Sequence, residues 1–234
     1  MPGSDDQRGL IVEQLGHPIG GRFQKVKQRL QVGHRIGAGN SDAAFDLKKK
    51  LLMDLISEAK PKMVWDVGAN TGVFSRITSG QGIPTISFDI DPAAVEINYL
   101  ETRKAQDTDI LPLVLDLTNP SPAIGWANEE RPSFGQRAKA DLVLALALVH
   151  HMAISNNVPL VALADSFARL SPKLIIEFVP KEDSQVQRLL VSRQDIFPEY
   201  NQDGFERAFK TCYRILRALP IPDTKRTLYL MERR

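Results

Sequence analysis

Three aspartates and a pair of histidines have the types and spacing to do chemistry: Asp66, Asp89, Asp116 and the adjacent His150 and His151. Asp66 ends the apolar "MVW" and heads "DVGANTG", Asp66 to Gly72. Glycines let a backbone approach a ligand closely, and the helix that follows offers free N–H groups to a negative group. Alone, that is a phosphate cradle or a plain tight turn. A carboxylate at its head would repel a pyrophosphate and attract a cation such as an ammonium or a sulfonium. Asp89 closes "TISFD", where a carboxylate takes both hydroxyls of a ribose. Asp116 closes "LPLVLD", placed to accept from an adenine amino group while the Leu117 N–H meets a ring nitrogen. The alternative for Asp116 is a capping or turn role before Asn119-Pro120.

His150 and His151 follow "LVLALALV". Imidazole titrates near neutral pH, so either ring suits a general base for a hydroxyl or ammonium group. The plainer reading is structural, with the rings bonding backbone in their loop. Two histidines are too few ligands for a metal, and no Cys/His/Asp cluster stands at metal spacing.

Alternating strands and helices position these residues. "NSDAAFDLKKKLLMDLISEAK" has apolar residues at helical spacing, with Ser41 or Asp42 as N-cap and Pro61 as its stop. Five apolar strands follow at Met63–Val67, Thr85–Phe88, Leu111–Leu115, Leu142–Leu146 and Leu174–Phe178. Helices are expected at Val73–Ser79, Pro92–Lys104, weakly at Ala123–Glu130, then Pro159–Leu170, Ser184–Ser192 and Gln202–Lys210. That alternation means βαβ units and a parallel sheet covered on both faces. "CYRILRAL" and "RTLYLMER", joined by the short "PIPDTK", must pair antiparallel. The expected fold is therefore α/β, a Rossmann-like doubly wound sheet of seven strands: five parallel strands plus a C-terminal antiparallel hairpin. Asp91 with Pro92 reads as N-cap and first residue of a helix, and Asp183 or Ser184 as another cap. Glu177 is placed to face a substrate pocket. Phe197 and Tyr200 form either a lid or core packing, Trp65 packs inside, and Trp126 covers the adenine.

The chain has 234 residues, a net charge of +2, 43% hydrophobic residues and one cysteine, Cys212. The charge is too mild to demand a nucleic acid. A lone cysteine excludes an internal disulfide and fits a cytoplasmic protein. No apolar run is long enough to span a bilayer, and "MPGSDDQRGL" lacks the pattern of a secretory signal. Residues 1–40 are glycine-rich and basic, an arm with one short helix around Phe23–Val32 at most. They precede a domain over 41–234.

"VWDVGANTGVFS", "SFDID", "LVLDL", "LVLALALVHH" and the terminal hairpin resemble, in order, the motifs of class I S-adenosylmethionine-dependent methyltransferases. The likeness runs from Met63 to Met231 and extends, more loosely, to bacterial nodulation-type methyltransferases. It implies S-adenosylmethionine as donor. Gly68, Ala69, Asn70 and Gly72 would line its methionine portion, Asp66 its amino group, Asp89 the ribose, and Asp116 and Leu117 the adenine. Phe74, Ile90 and Leu146 complete the expected cofactor pocket. Asn70 departs from the pattern by replacing a glycine, which narrows the backbone there. The Asn/Asp-Pro-Pro-Tyr of many nitrogen methyltransferases is absent, and His150 and His151 stand in its place. The expected acceptor is an oxygen or nitrogen of a small molecule, the protein a monomer or homodimer. Alternatives are an RNA methyltransferase using the basic arm and a non-catalytic S-adenosylmethionine-binding protein. A nicotinamide oxidoreductase would need G-x-G-x-x-G, which Gly68 to Gly72 does not supply.

Overall fold

The computed structural model describes residues 42–137, 139–191 and 194–234. The arm over 1–40, the short helix expected in it and Ser41 lie outside the described residues, and Asp42 is the first residue of the helix it is expected to cap.

Helix α1, Asp42–Ala59, packs through Ala44, Lys48, Leu52, Leu55, Ile56 and Ala59, a stripe at helical spacing with a lysine in its middle. Lys60 turns left-handed before Pro61 and ends it. Seven strands follow: β1 Val64–Val67, β2 Thr85–Asp89, β3 Ile110–Val114, β4 Leu142–Ala145, β5 Lys173–Phe178, β6 Tyr213–Pro220 and β7 Thr227–Arg233. Their spatial order is β3-β2-β1-β4-β5-β7-β6. The pairs among β1 to β5 are parallel, and β7 runs antiparallel between β5 and β6. The expected sheet is observed, with the hairpin closing it.

Strands buried on both faces carry no polar alternation. Val64, Leu142, Leu144, Ile175, Leu228 and Leu230 face α1, and Trp65, Val67, Val143, Ala145, Ile176 and Tyr229 face the other way. That second layer holds α4 (Leu160–Leu170) and α6 (Gln202–Phe209); α2 (Ser75–Ser79), α3 (Pro92–Ala105) and α5 (Ser184–Leu190) complete the helices. Asp91 caps α3 by accepting from the Ala93 N–H at 2.9 Å, with Pro92 following, as the sequence implies. Asp183, rather than Ser184, caps α5.

The connection between β3 and β4 departs from expectation. Over Ala123–Glu130 no α-helix forms, only a single irregular 3-10 turn at Trp126–Asn128 inside a bridge between Ile124 and Arg131. Positive φ at Gly125, Ala127 and Asn128 breaks the helical backbone, and Pro120, Pro122 and Pro132 flank it. Phe134 from this connection packs on Trp65 and Phe88. Leu111 and Leu113, on the same face of the edge strand, stay exposed.

Candidate functional site

The site is built at the carboxyl edge of β1, β2, β3 and β4. Gly68 and Ala69 both donate to the Phe88 carbonyl, at 2.8 and 2.9 Å, so the glycine loop is tied to the end of β2. The Asn70 N–H donates to Asp89 Oδ2 at 2.8 Å, and Asp91 N–H to Oδ1 at 2.9 Å. Asn70 has a φ of 51°, a left-handed conformation that asparagine tolerates better than other side-chain-bearing residues. The expected cost of replacing glycine there is thereby met.

Gly72, at φ 78°, has no room for a side chain: an added Cβ would run into the Asn98 side chain. Asn98 is buried on α3 and accepts from Arg76 Nη2 at 3.1 Å, while Arg76 Nη1 donates to the Thr71 carbonyl at 2.7 Å. An Arg–Asn clamp thus holds the loop from behind. Gly68, at φ 75°, presses against the connection after β4, where an added Cβ would lie 3.1 Å from Leu148 Cδ1.

Asp66 is 1% exposed and accepts from the Ser75 hydroxyl at 2.6 Å; Ser75 in turn accepts from Ser87. Burial pushes its carboxyl up to about 6, opposed by the Ser75 hydrogen bond and assisted by the charge of Asp89. A buried carboxylate so poised favours a cationic ligand. Asp116 accepts from the Thr118 hydroxyl and N–H at 2.6 and 2.8 Å, bonds that hold its carboxyl below the usual range. Both bonds fall on Oδ1, so Asp116 supports the turn after β3 through one carboxylate oxygen. Leu115 N–H donates to the Asp89 carbonyl at 2.9 Å, so the ends of β2 and β3 stay together. Leu117 is half-buried, Leu146 buried and Ile90 exposed, while Phe74 packs beneath Phe45 with ring centres 5.6 Å apart.

After β4 the chain passes through Ala147 at φ 49° and then a wide turn closed from the Asn156 N–H to the His151 carbonyl. Single turns of this i+5 kind favour functional sites. The two imidazoles lie 4.2 Å apart, His150 buried and His151 exposed. Burial, the neighbouring His151 and the cation of Arg226 push His150 down to about 3. Its Nδ1 has no hydrogen-bond partner. His151 is also lowered by desolvation, against the raising influence of Asp89.

Sequence reasoning missed a buried charge network beside these rings. Glu177, at 0% exposure, is enclosed; it accepts from Lys48 at 2.5 Å, Arg226 at 3.4 Å and the Ala147 N–H at 2.8 Å. Arg226 in turn forks onto Asp183 at 2.7 and 3.0 Å. Burial alone would raise Glu177, yet Lys48 and Arg226 hold its carboxyl below the usual range. The one local signal was the lysine within the apolar stripe of α1. Tyr200 is core rather than lid, its hydroxyl donating to the Val179 carbonyl at 2.8 Å and its ring beside Phe178. Trp65 is buried as expected, whereas Trp126 is 86% exposed. Among the described residues no three His, Cys, Asp or Glu side chains group as metal ligands, and no helix is long and apolar enough to cross a membrane.

Solved structures share this architecture. Magnesium protoporphyrin IX methyltransferase (ChlM) from Synechocystis PCC 6803, crystallised with bound SAH, aligns with a TM-score of 0.58 at 16% identity, over 87% of each chain. A SAM-dependent methyltransferase from Aquifex aeolicus aligns with a TM-score of 0.52 at 16% identity, over 77% of this chain and 89% of that one. The fold is thus the one expected from the resemblance. In sequence, the chain is 43% identical over 231 residues to Nodulation protein NoeA of Rhizobium meliloti (strain 1021), covering 98% of this chain and 48% of that protein. It therefore spans about half the length of that relative. No protein-family model matches.

Proposed function

We propose that the chain is an S-adenosylmethionine-dependent methyltransferase whose domain over 41–234 moves a methyl group to an oxygen or nitrogen of a small molecule. The observation that carries this reading is the set of acids Asp66, Asp89 and Asp116 on three adjacent strands around the Gly68–Gly72 loop. A fold shared with ChlM, which holds SAH, supports it. When bound, the donor supplies an electrophilic methyl on a sulfonium.

The residues present fit that group. Glycine backbone at 68 and 72 forms the cradle, and buried Asp66 faces a cationic ammonium. Asp89 already accepts two backbone N–H bonds but keeps lone pairs for a ribose. Asp116 and Leu117 take the adenine edge, with Phe74, Ile90 and Leu146 around them. Of the two histidines, His151 is the better proton acceptor. Arg226 and Lys48 both oppose a positive charge on His150, whereas Asp89 favours one on His151. His150 then serves as the neutral ring against which the tilted His151 rests.

The hollow of about 410 Å³ at the carboxyl end of β5, between Phe178, Tyr200 and Lys225, is lined by neither histidine and by no residue of the Gly68–Gly72 loop, so the acceptor's place is read from the histidines instead. Thermal unfolding with added ligand tests the donor assignment. S-adenosylhomocysteine should raise the melting temperature of the wild type but not of Asp89→Ala, and NAD should raise neither. Stabilisation by NAD alone would refute it.

A further inference from the structure

We propose that Glu177 is a positioning residue for methyl transfer: its carboxylate sets the turn at Ala147 that delivers His150 and His151 to the site. The inference rests on the functional reading above and goes beyond it, because Glu177 itself stands behind the site and touches no reacting group.

The backbone at Ala147 is the first reason. An alanine at φ 49° lies in the left-handed region that side-chain-bearing residues rarely adopt, and such a residue persists only when its surroundings fix it. The Ala147 N–H donates to Glu177 Oε2 at 2.8 Å, across 30 residues of sequence. Two positions before the turn is buried Ala145, the end of β4; three and four positions after it are the two histidines. The conformation of this one residue decides the direction in which the histidines leave the sheet.

The second reason is the carboxylate's surroundings. Glu177 is fully buried and takes Lys48 from α1 on one oxygen and Arg226 from the β6–β7 connection on the other. Arg226 is further held by Asp183, the N-cap of α5. Buried ion pairs are rarely more stabilising than apolar side chains of the same volume. Stability alone does not call for a carboxylate at the end of β5. What an apolar residue there could not supply is an acceptor for the Ala147 N–H. The two cations keep that acceptor charged and fixed, and a charged acceptor makes the stronger hydrogen bond. His150 lies within the electrostatic reach of Arg226, Asp183 and Lys48, so the network adjoins the histidines it orients.

Two double variants of the full chain isolate the acceptor from the charge. Lys48→Met with Glu177→Gln, and Lys48→Met with Glu177→Met, both remove one cation and one anion and leave Arg226 paired with Asp183. Only the glutamine variant retains an oxygen for the Ala147 N–H. The measurements are amide hydrogen exchange over 146–151, imidazole proton resonances of His150 and His151, melting temperature, and S-adenosylhomocysteine affinity by calorimetry. The expected result is similar melting and similar affinity in the two variants, with Ala147 exchanging about tenfold faster in the methionine variant, the equivalent of one hydrogen bond. The histidine resonances should move in the methionine variant alone. Equal exchange and unmoved resonances would overturn the proposal. If both doubles fail to fold, exchange of the wild-type chain decides it: a protected Ala147 amide supports the proposal, and an Ala147 amide exchanging like an exposed loop overturns it. Failure of the wild type to bind S-adenosylhomocysteine would remove the methyl-transfer reading while leaving the exchange comparison to judge the turn.

Discussion

Asp66 gives the sharpest link between stability and ligand chemistry. Burial raises its carboxyl from the ordinary 3.8 to about 6. For an acid with a raised pKa the folded state holds the proton more tightly than the unfolded state. Its contribution to stability is then present at low pH and is lost as pH climbs from 3.8 through about 6. At about 1.36 kcal/mol per pH unit, the full loss is about 3 kcal/mol. About 2 kcal/mol of it develops between roughly pH 4.5 and pH 7.5. The amide introduced by Asp66→Asn keeps the shape and can still accept from the Ser75 hydroxyl, but never has to ionise. The variant's melting temperature relative to wild type should therefore be about 4–8 °C more favourable near pH 7.5 than near pH 4.5, at about 2–4 °C per kcal/mol for a domain of this size. The comparison across pH removes any fixed cost of the amide. A cationic donor should reverse the ranking near pH 7.5, because it interacts favourably with the ionised carboxylate of the wild type only. Scanning calorimetry at both pH values, with and without S-adenosylmethionine, reads all four states. A difference that does not change with pH would refute the idea that Asp66 is held at a cost for a ligand.

Gly72→Ala should lose stability by about 1–2 kcal/mol from its left-handed backbone alone, plus the collision with Asn98. In the double variant with Asn98→Ala, denaturant unfolding should show only the collision part recovered; full recovery would mean that the backbone there is unstrained. The histidines should titrate apart by proton NMR, His150 staying neutral down to about 3 while His151 gains its proton at higher pH, below the usual imidazole range. A His150 that titrates near neutrality would move the proposed proton acceptor from His151 to His150.

The legible parts of the fold share a cause. Strands buried on both faces read as apolar runs, and Asp91 with Pro92 marks a helix start because the cap and the fixed φ both act within one turn. The failure at Ala123–Glu130 has the opposite cause. No helical dihedral survives at Gly125, Ala127 and Asn128, and of these Ala127 gives no sign of it by type. Asn70 lies between these cases. Its left-handed φ is visible in advance to anyone who knows what the loop requires, but not from the residue alone.

The glycine loop and the groups assembled around the end of β5 differ in the same way. Asp66, Gly68, Asn70 and Gly72 act within one loop, and Asp89 reaches that loop from the neighbouring strand, so their spacing is a local signature. The cavity at the end of β5 draws Lys181, Asn201 and Lys225 from three separate connections. Lys48 and Glu177 meet across 129 residues, and Glu177 and Arg226 across 49. No periodicity links such positions; only the closing of the sheet, with β7 laid antiparallel against β5, brings Arg226 to Glu177. A lysine in the apolar stripe of α1 is the exception that carries information. A buried cation is costly without a partner, so Lys48 requires a buried anion elsewhere in the chain. Glu177, the one acid inside the apolar fifth strand, is a residue able to meet that demand. The sequence thus marks that a buried anion is needed without choosing between Glu177 and Asp66, the buried acid of β1; the fold makes the choice.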